Sequence, residues 1–213
     1  MTMLNHYIQK PQSEDKPKQI IVLLHGYGSN GRDLISLASY WASAVPDAIF
    51  ISPDAPFPCE IGMGRQWFSL SDYTPEKLLE GAQKAHPILE AYFDGLLEEY
   101  GLKNQNLALV GFSQGTMMSL YTGLRRQNPL AGILGYSGAL IGAGDLTGQN
   151  APPIHLIHGE SDSVAPVAAY HKAVEELTSN GYVVSGHTTP GLDHSIDEQG
   201  IESGAAFLGK VLI

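Results

Sequence analysis

Short apolar runs, each ending at a turn and followed by a helical pattern, most constrain how this sequence can fold. Ile20–Leu24 is one such run, and it ends at the glycine-rich turn His25–Gly28. An unbroken apolar run of this length is typical of a strand that is buried on both faces of a parallel sheet. Asp33–Val45 follows with apolar residues three and four positions apart, which predicts a helix.

The same alternation continues to the end of the sequence. Further strands are predicted at Ala48–Ser52, Leu107–Val110, Ala131–Tyr136, Ile154–Ile157 and Tyr182–Thr189. Further helices are predicted at Gly81–Tyr100, Gln114–Arg126, Pro166–Asn180 and Ser195–Lys210, with Pro87 as a bend or a start in the first of them. Alternating elements predict an α/β fold, with a mostly parallel central sheet flanked by helices. Ligands bind such sheets beyond the carboxyl ends of the strands, so the chemistry is expected in the loops there.

The length and the charge of the chain narrow the classes of protein that fit it. Its 213 residues suit one domain with a large buried core, so residues 1–213 are predicted to form a single domain. The formal net charge of −10 makes nucleic acid and anionic lipid surfaces unfavourable partners, because both are negatively charged.

Cysteine content and the N-terminal sequence indicate a cellular location. The chain has one cysteine, Cys59, which excludes an internal disulfide and is compatible with a reducing compartment. The first residues lack the pattern of a secretory signal, and no apolar run is long enough to cross a bilayer. We therefore expect a cytoplasmic protein without stable membrane insertion.

Gly111–Gly115 carries the candidate nucleophile, Ser113, in the pattern G-x-S-x-G. In this motif the serine lies on a sharp strand-to-helix turn, and the glycines let the strand and the helix approach closely. The string alone is a weak signal in a chain rich in glycine and serine, and a buried serine at a strand end is the alternative. Its place between the strand Leu107–Val110 and a helix favours a nucleophile.

A serine nucleophile needs a base, usually histidine, and an acid that orients the base. On an α/β-hydrolase the acid and then the histidine follow the serine in the chain. Asp162 is preferred as the acid, over Glu160, because it stands clear of the strand Ile154–Ile157; an N-terminal helix or turn acceptor is the alternative role. His194 is preferred as the base, because it lies in a loop between the last predicted strand and the last predicted helix.

Acyl transfer passes through an oxyanion that two backbone N–H groups commonly bind. One donor is expected from Gln114, the residue after the nucleophile, and the other from the loop after an early strand. Tyr27, in the turn His25–Gly28, is the candidate for the second donor. A tight turn with no further role is the alternative for that segment.

These segments together resemble the family of small carboxylesterases, acyl-protein thioesterases and lysophospholipases. The matching pieces are Leu24–Gly28, Pro53–Pro56, Gln66–Phe68, Gly111–Gly115, His158–Gly159, Asp162–Pro166 and Gly191–His194. The resemblance implies a minimal α/β-hydrolase without a large cap domain, with no metal and no organic cofactor. It also implies ester, lysophospholipid or S-acyl substrates, and oxyanion donors at Tyr27 and Gln114. Thr116 departs from the glycine that is common in the family, and its bulk is expected to narrow the pocket.

The irregular segment Phe57–Pro75 is rich in apolar side chains and predicts a wall or partial lid over the site. A satellite core under a long loop is the alternative. The candidate acyl contacts are Trp67, Leu70 and Val164.

The leading interpretation is therefore a serine carboxylic ester hydrolase that acts on a small-molecule, lipid or acylated-protein ester. One alternative is a dienelactone-hydrolase-like enzyme, although such enzymes usually carry a cysteine nucleophile where this chain has Ser113. The other is a binding module that kept the fold and lost catalysis, which is expected to lack one member of the triad. Acyl length, oxygen ester against thioester, and the oligomeric state, including a homodimer, stay open.

Overall fold

A seven-stranded sheet forms the centre of the fold in a computed structural model that describes residues 4–13, 16–146 and 151–212. The strand order within that part of the chain is β1-β3-β2-β6-β7-β8-β9. The strands of this sheet are β1 (His6–Gln9), β2 (Gln19–Leu24), β3 (Ala48–Pro53), β6 (Leu107–Phe112), β7 (Gly132–Tyr136), β8 (Ile154–Gly159) and β9 (Val184–Thr189). A separate antiparallel hairpin consists of β4 (Phe57–Pro58) and β5 (Arg65–Gln66).

All neighbouring strands of the large sheet are parallel except at one edge, where β1 runs antiparallel to β3. The carboxyl ends of the parallel strands therefore meet at one side of the sheet, where the loops that follow them collect. The sequence pattern does not predict β1, because this edge strand is only partly buried and lacks a continuous apolar run.

Helices cover both faces of the sheet. The helices are α1 (Gly31–Leu34), α2 (Ala38–Trp41), α3 (Pro75–Tyr100), α4 (Gln114–Gly123), α5 (Ala168–Ser179) and α6 (Glu198–Val211). Alternate residues of β2 face opposite layers: Val22 packs in the core under α3, α4 and α5, and Leu23 packs in the core under α2 and α6. None of the helices in the described ranges is both long and apolar enough to span a membrane.

Two predicted helices differ from the observed ones. The stretch Asp33–Val45 is divided into α1, a 3₁₀ turn at Ile35–Leu37 and α2 rather than one helix. Helix α3 begins six residues earlier than predicted, at Pro75, whose fixed φ suits the first helical position. Its first turns are largely exposed, so they lack the apolar periodicity that identifies the rest, and Pro87 lies inside the helix.

Candidate active site

Ser113 lies at the turn between β6 and α4, as the motif predicts. Its backbone has φ 55° and ψ −117°, a conformation that costs free energy for a residue other than glycine. The Ser113 N–H donates to Tyr136 O at 2.9 Å, which fastens the turn to β7. A Cβ on Gly115 would lie 1.7 Å from Leu24 O, so only glycine lets α4 approach β2 this closely.

Thr116 fills the space between the nucleophile turn and β7. Its hydroxyl donates to Tyr136 O at 2.7 Å and accepts from the Tyr136 N–H at 3.0 Å. The side chain is buried, and a Cβ on Gly138 would lie 2.4 Å from Thr116 Cβ. Glycine in the neighbouring strand and loop thus accommodates the added bulk. The expectation that Thr116 narrows the pocket is corrected: the side chain points into the packing between α4 and β7.

Asp162 lies in the loop after β8 with its carboxylate buried. Oδ1 accepts from the Val164 N–H at 2.9 Å and the Ala165 N–H at 2.7 Å, and Oδ2 accepts from His194 Nδ1 at 2.7 Å. Burial opposes ionisation of this carboxyl, but the hydrogen bonds from His194, Ala165 and Val164 outweigh it and hold the pKa of Asp162 below its ordinary value. Asp162 is therefore an ionised acceptor.

His194 lies in the loop after β9 and is held from several sides. Its ring centroid is 4.9 Å from that of Phe112, the residue before the candidate nucleophile. Asp193 Oδ1 accepts from the His194 N–H at 2.8 Å and from both the N–H and the hydroxyl of Ser163 at 2.9 Å. The bonds from the backbone of Ser163 and His194 hold the pKa of Asp193 below its ordinary value. Because Nδ1 donates to a carboxylate, Nε2 of the neutral ring is free to accept a proton.

Other acidic and histidine side chains that follow Ser113 in the chain have surroundings outside the candidate site. Glu160 accepts from the Thr188 hydroxyl at 2.8 Å, and Asp197 caps the first turn of α6. His155 lies between two serine hydroxyls, at 2.8 and 2.7 Å from its ring nitrogens. His171 is exposed on α5. None of these four residues contacts Ser113, Asp162 or His194 through the hydrogen bonds described.

The two candidate oxyanion donors lie on either side of Ser113. A Cβ on Gly26 would lie 3.3 Å from Ser113 Cβ, so the turn that contains Tyr27 is in contact with the nucleophile. Gln114 is the first residue of α4, where backbone N–H groups have no partner within the helix. The turn that contains Tyr27 and the start of α4 thus both adjoin Ser113.

His25 braces the first of these segments from within the core. Its Nδ1–H donates to Gly26 O at 2.7 Å, and its Nε2 accepts from the Ala55 N–H at 3.0 Å. Burial of the ring lowers the pKa of His25, which favours the neutral form that this pair of bonds requires. The sequence predicts His25 only as part of a turn and does not indicate this role, because its partner Ala55 follows a different strand.

The hairpin of the segment 57–75 is hydrogen-bonded to the turn His25–Gly28, termed the oxyanion turn because it contains the candidate donor Tyr27. The Gly28 N–H donates to Arg65 O at 2.9 Å, and the Arg65 N–H donates to Ser29 O at 2.7 Å. The side chain of Gln114 adds a second attachment: Oε1 accepts from the Trp67 N–H at 2.9 Å, and Nε2 donates to Phe68 O at 2.8 Å. The Gln114 side chain is fully buried between these partners.

Glu60, at the tip of this segment, links it to Tyr27. Its carboxylate accepts from the Tyr27 hydroxyl at 2.8 Å, the Ser69 hydroxyl at 2.6 Å and the Leu70 N–H at 2.9 Å. These bonds, that from Ser69 first, hold the pKa of Glu60 below its ordinary value. Nothing in the sequence pattern indicates them, because each joins residues that only the folded loop brings together.

The three candidate acyl contacts have different surroundings. Trp67 is 0% exposed, and its Nε1–H donates to His25 O at 2.9 Å. The expected acyl contact of Trp67 is therefore corrected to a supporting role beneath the oxyanion turn. Leu70 is partly buried, and Val164 is 66% exposed beside Asp162. Near the end of the segment, burial first and the charge of Asp162 second raise the pKa of Tyr73.

A groove of about 380 Å³ lies between the start of α3, the loop after β7 and α5. Its lining residues are mostly apolar and comprise Pro75, Leu78, residues 139–144, Ala169, Lys172, Ala173 and Glu176. The loop after β7 begins beside the nucleophile, since a Cβ on Gly138 would lie 2.9 Å from Ser113 O. The groove takes part of its lining from the next residues of this loop, from Ala139 onwards, and its volume falls in the range of small-molecule pockets.

The mostly parallel sheet between two helical layers, with a serine at the turn after the central strand β6, defines an α/β-hydrolase. In the described ranges, no group of three or more His, Cys, Asp or Glu side chains is placed to hold a metal ion. The sequence matches the family described as Phospholipase/Carboxylesterase over residues 5–212, and the chain belongs to that family. The family resemblance and the α/β fold predicted from the sequence are thus confirmed.

Individual relatives agree with this assignment. Esterase YpfH of Escherichia coli (strain K12) is 30% identical over 192 residues, which cover 90% of this chain and 82% of the relative. Acyl-protein thioesterase 1 of Gibberella zeae is 29% identical over 211 residues, with 90% of each chain covered. The crystal structure of esterase PE8 is 38% identical with a TM-score of 0.93, and the match covers 99% of this chain and 100% of that one. The chain is an ester-hydrolysing enzyme.

Proposed function

We propose that Ser113, His194 and Asp162 form a catalytic triad that hydrolyses carboxylic esters or thioesters through an acyl-enzyme. One observation carries this proposal: the 2.7 Å bond from His194 Nδ1 to the buried Asp162 carboxylate, with the imidazole packed on Phe112. This bond fixes the tautomer whose Nε2 accepts a proton, and the ring contact with Phe112 supports a position of the imidazole near the strained turn of Ser113.

In the proposed mechanism, Ser113 Oγ attacks the carbonyl carbon while His194 Nε2 takes the hydroxyl proton. The N–H groups of Gln114 and Tyr27 bind the resulting oxyanion, and a donor of this kind is commonly worth about 3 kcal/mol of barrier. His194 returns the proton to the leaving alcohol or thiol, which leaves an acyl-serine. His194 then activates a water that releases the acid. Asp162 stays ionised throughout and stabilises the protonated imidazole.

The apolar groove beside the nucleophile supports an acyl group of several carbons as the part of the substrate that binds. Leu140 and Ile141 on one wall and Ala169 on the other offer apolar surface, and Lys172 and Glu176 of α5 are the charged residues of the lining. Leu70 and Val164 are the proposed contacts at the entrance, in the segment 57–75 and in the acid loop. The names of the relatives, esterase and acyl-protein thioesterase, keep both oxygen esters and thioesters as proposed substrates.

The first test compares hydrolysis of p-nitrophenyl esters and matching thioesters, with acyl chains from two to twelve carbons, by the wild type and Ser113→Ala. Ser119→Ala is the matched control, because Ser119 is a buried serine of the same helix whose hydroxyl has no hydrogen-bond partner. We expect turnover to vanish in Ser113→Ala and to persist in Ser119→Ala. Turnover by Ser113→Ala that equals the wild type would disprove the proposed nucleophile.

A further inference from the structure

A second histidine is buried beside the acid of the proposed triad. His158 is the penultimate residue of β8, and its side chain is 1% exposed. The side chain of Asp162, four residues later, is 0% exposed. The proposed mechanism gives His158 no part. A buried polar side chain of this kind is stable only when its ring nitrogens find partners, so its contacts indicate what it does.

The contacts of His158 converge on the loop that carries the acid. Its Nε2 is 2.7 Å from Ala165 O and 3.4 Å from Asp162 Oδ2. Carbonyl and carboxylate oxygens only accept, so Nε2 carries a hydrogen and donates to Ala165 O. The N–H of the same residue, Ala165, donates to Asp162 Oδ1 at 2.7 Å.

These contacts form a closed ring around the carboxylate. Asp162 Oδ1 accepts from the Ala165 N–H, Ala165 O accepts from His158 Nε2–H, and His158 Nε2 lies 3.4 Å from Asp162 Oδ2. A rotation of the carboxylate away from His194 would break the bond to Ala165 and separate Oδ2 from the His158 N–H. The ring therefore fixes the direction in which Oδ2 faces His194.

We propose that His158 is a positioning residue that holds the Asp162 carboxylate and its loop in the orientation that aligns His194. This inference rests on the proposed triad. The N–H of His158 acts through Asp162 and does not touch the substrate. Because misplacement of a catalytic group by about 1 Å can cost about 100-fold in rate, loss of this donor is expected to lower turnover without changing ground-state binding of the acyl group.

Three variants of His158 distinguish the effect of its N–H donor from the effect of the shape of its imidazole ring. In His158→Gln the amide nitrogen is as many bonds from Cα as Nε2 of histidine, so the donor to Ala165 is kept. In His158→Asn the amide stops one bond short, and His158→Leu has no donor. His155→Leu is the matched control, because His155 is in the same strand and bonds only to serine hydroxyls of β9 and α6.

The experiment measures kcat and KM for a p-nitrophenyl ester, together with the melting temperature, for the full chain and each variant. We expect kcat of His158→Leu and His158→Asn to fall about 10- to 100-fold with KM within about twofold, and His158→Gln to regain most of the loss. His155→Leu is expected to melt earlier than the wild type with kcat unchanged.

Two results would overturn the inference while the triad stands. One is a folded His158→Leu with the kcat of the wild type, while Ser113→Ala is inactive. The other is equal kcat for His158→Gln and His158→Asn, which would assign the effect to the shape of the imidazole rather than to its donor. This comparison also tests the inference if His158→Leu does not fold. Activity in Ser113→Ala would instead show that the proposed function itself is wrong.

Discussion

Gln114 contributes to the site through two chemically separate parts. Its backbone N–H is a proposed oxyanion donor, which any residue at the start of α4 would supply. Its side chain is specific, because one amide satisfies both the N–H of Trp67 and the carbonyl of Phe68. A single residue thus sets the distance between the nucleophile helix and the segment 57–75.

Gln114→Ala keeps the backbone donor and removes both side-chain bonds. Since it leaves a buried N–H and a buried C=O without partners, we expect a loss of about 2–4 kcal/mol in the free energy of unfolding. We also expect kcat/KM to fall about tenfold or more as the segment 57–75 shifts. Denaturant unfolding and ester kinetics measure the two effects. Gln105→Ala, at an exposed glutamine, is the control and is expected to change neither; an unchanged Gln114→Ala would contradict the role of the side chain.

Asp162→Asn tests the charge of the acid at the same scale. An asparagine amide can donate to His194 Nδ1 and so favours the tautomer with the proton on Nε2. In that tautomer Nε2 cannot accept the proton of Ser113. We expect kcat to fall about 10³- to 10⁴-fold, with the protein still folded. Retention of kcat within tenfold would exclude Asp162 as the acid.

The pH dependence of stability follows from the depressed pKa of Asp162. A carboxyl whose pKa is lower in the folded state stabilises the protein above its unfolded value, about 3.9, and this stabilisation is lost as the pH falls through the folded value. The wild type is therefore expected to exceed Asp162→Asn in stability most at neutral pH, and the difference is expected to shrink in acid. Urea unfolding of both proteins from pH 7 downwards measures this, and a difference that grows in acid would contradict it.

At the scale of elements, the sequence predicts the buried strands and the loops after them more reliably than what the loops contact. The strands β2, β3, β6, β7 and β8 are each marked by a local apolar run, and the candidates Ser113 and Asp162 follow from their places after such runs. Strand β9 has no such run, and His194 follows from its place in the loop before the last predicted helix. The bonds of Glu60, His25 and the Gln114 side chain depend on residues distant in the chain. No local pattern encodes them, so the sequence predicts the segment 57–75 as a wall or partial lid but not the bonds that attach it.

Glu60→Gln tests whether the attachment of the segment 57–75 matters for catalysis. The neutral amide is a weaker acceptor for the Tyr27 hydroxyl, the Ser69 hydroxyl and the Leu70 N–H, so the segment is expected to open more often. We expect kcat/KM to fall a few-fold and hydrogen exchange at Leu70 to accelerate. Glu175→Gln, at an exposed glutamate of α5, is expected to change neither quantity; equal exchange rates in both variants would contradict the role of Glu60.

At the scale of the whole molecule, the parallel sheet brings the proposed triad and the oxyanion turn to the side where the carboxyl ends of its strands lie, and the loop after β7 contributes to the apolar groove from the same side. The groove takes its walls from three elements that follow different strands, so its existence depends on the topology rather than on any local motif. The cytoplasmic location expected from the sequence stays a prediction.

Ala169→Phe tests whether the groove binds the acyl chain. Ala169 is partly buried on the groove wall of α5, and a benzyl group there occupies space that a longer chain needs. Each displaced methylene is worth about 0.8 kcal/mol, so kcat/KM for long chains is expected to fall tenfold or more while acetyl esters are unaffected. Ala168→Phe, at the exposed neighbouring position, is the control, because adjacent helical residues face different directions. An unchanged chain-length profile in Ala169→Phe would place the acyl chain elsewhere.

The parallel arrangement of β8 and β9 has a consequence for how activity is acquired. The proposed acid, Asp162, follows β8 and the proposed base, His194, follows β9, while the turn of Ser113 precedes both in the chain. Contacts between such distant segments form only after the entropy of closing the intervening loops has been overcome. Under the proposed mechanism, an incompletely folded chain, including a nascent one that still lacks β9, has Ser113 but not the proposed base His194. We therefore expect it to be unable to cleave esters before folding is complete.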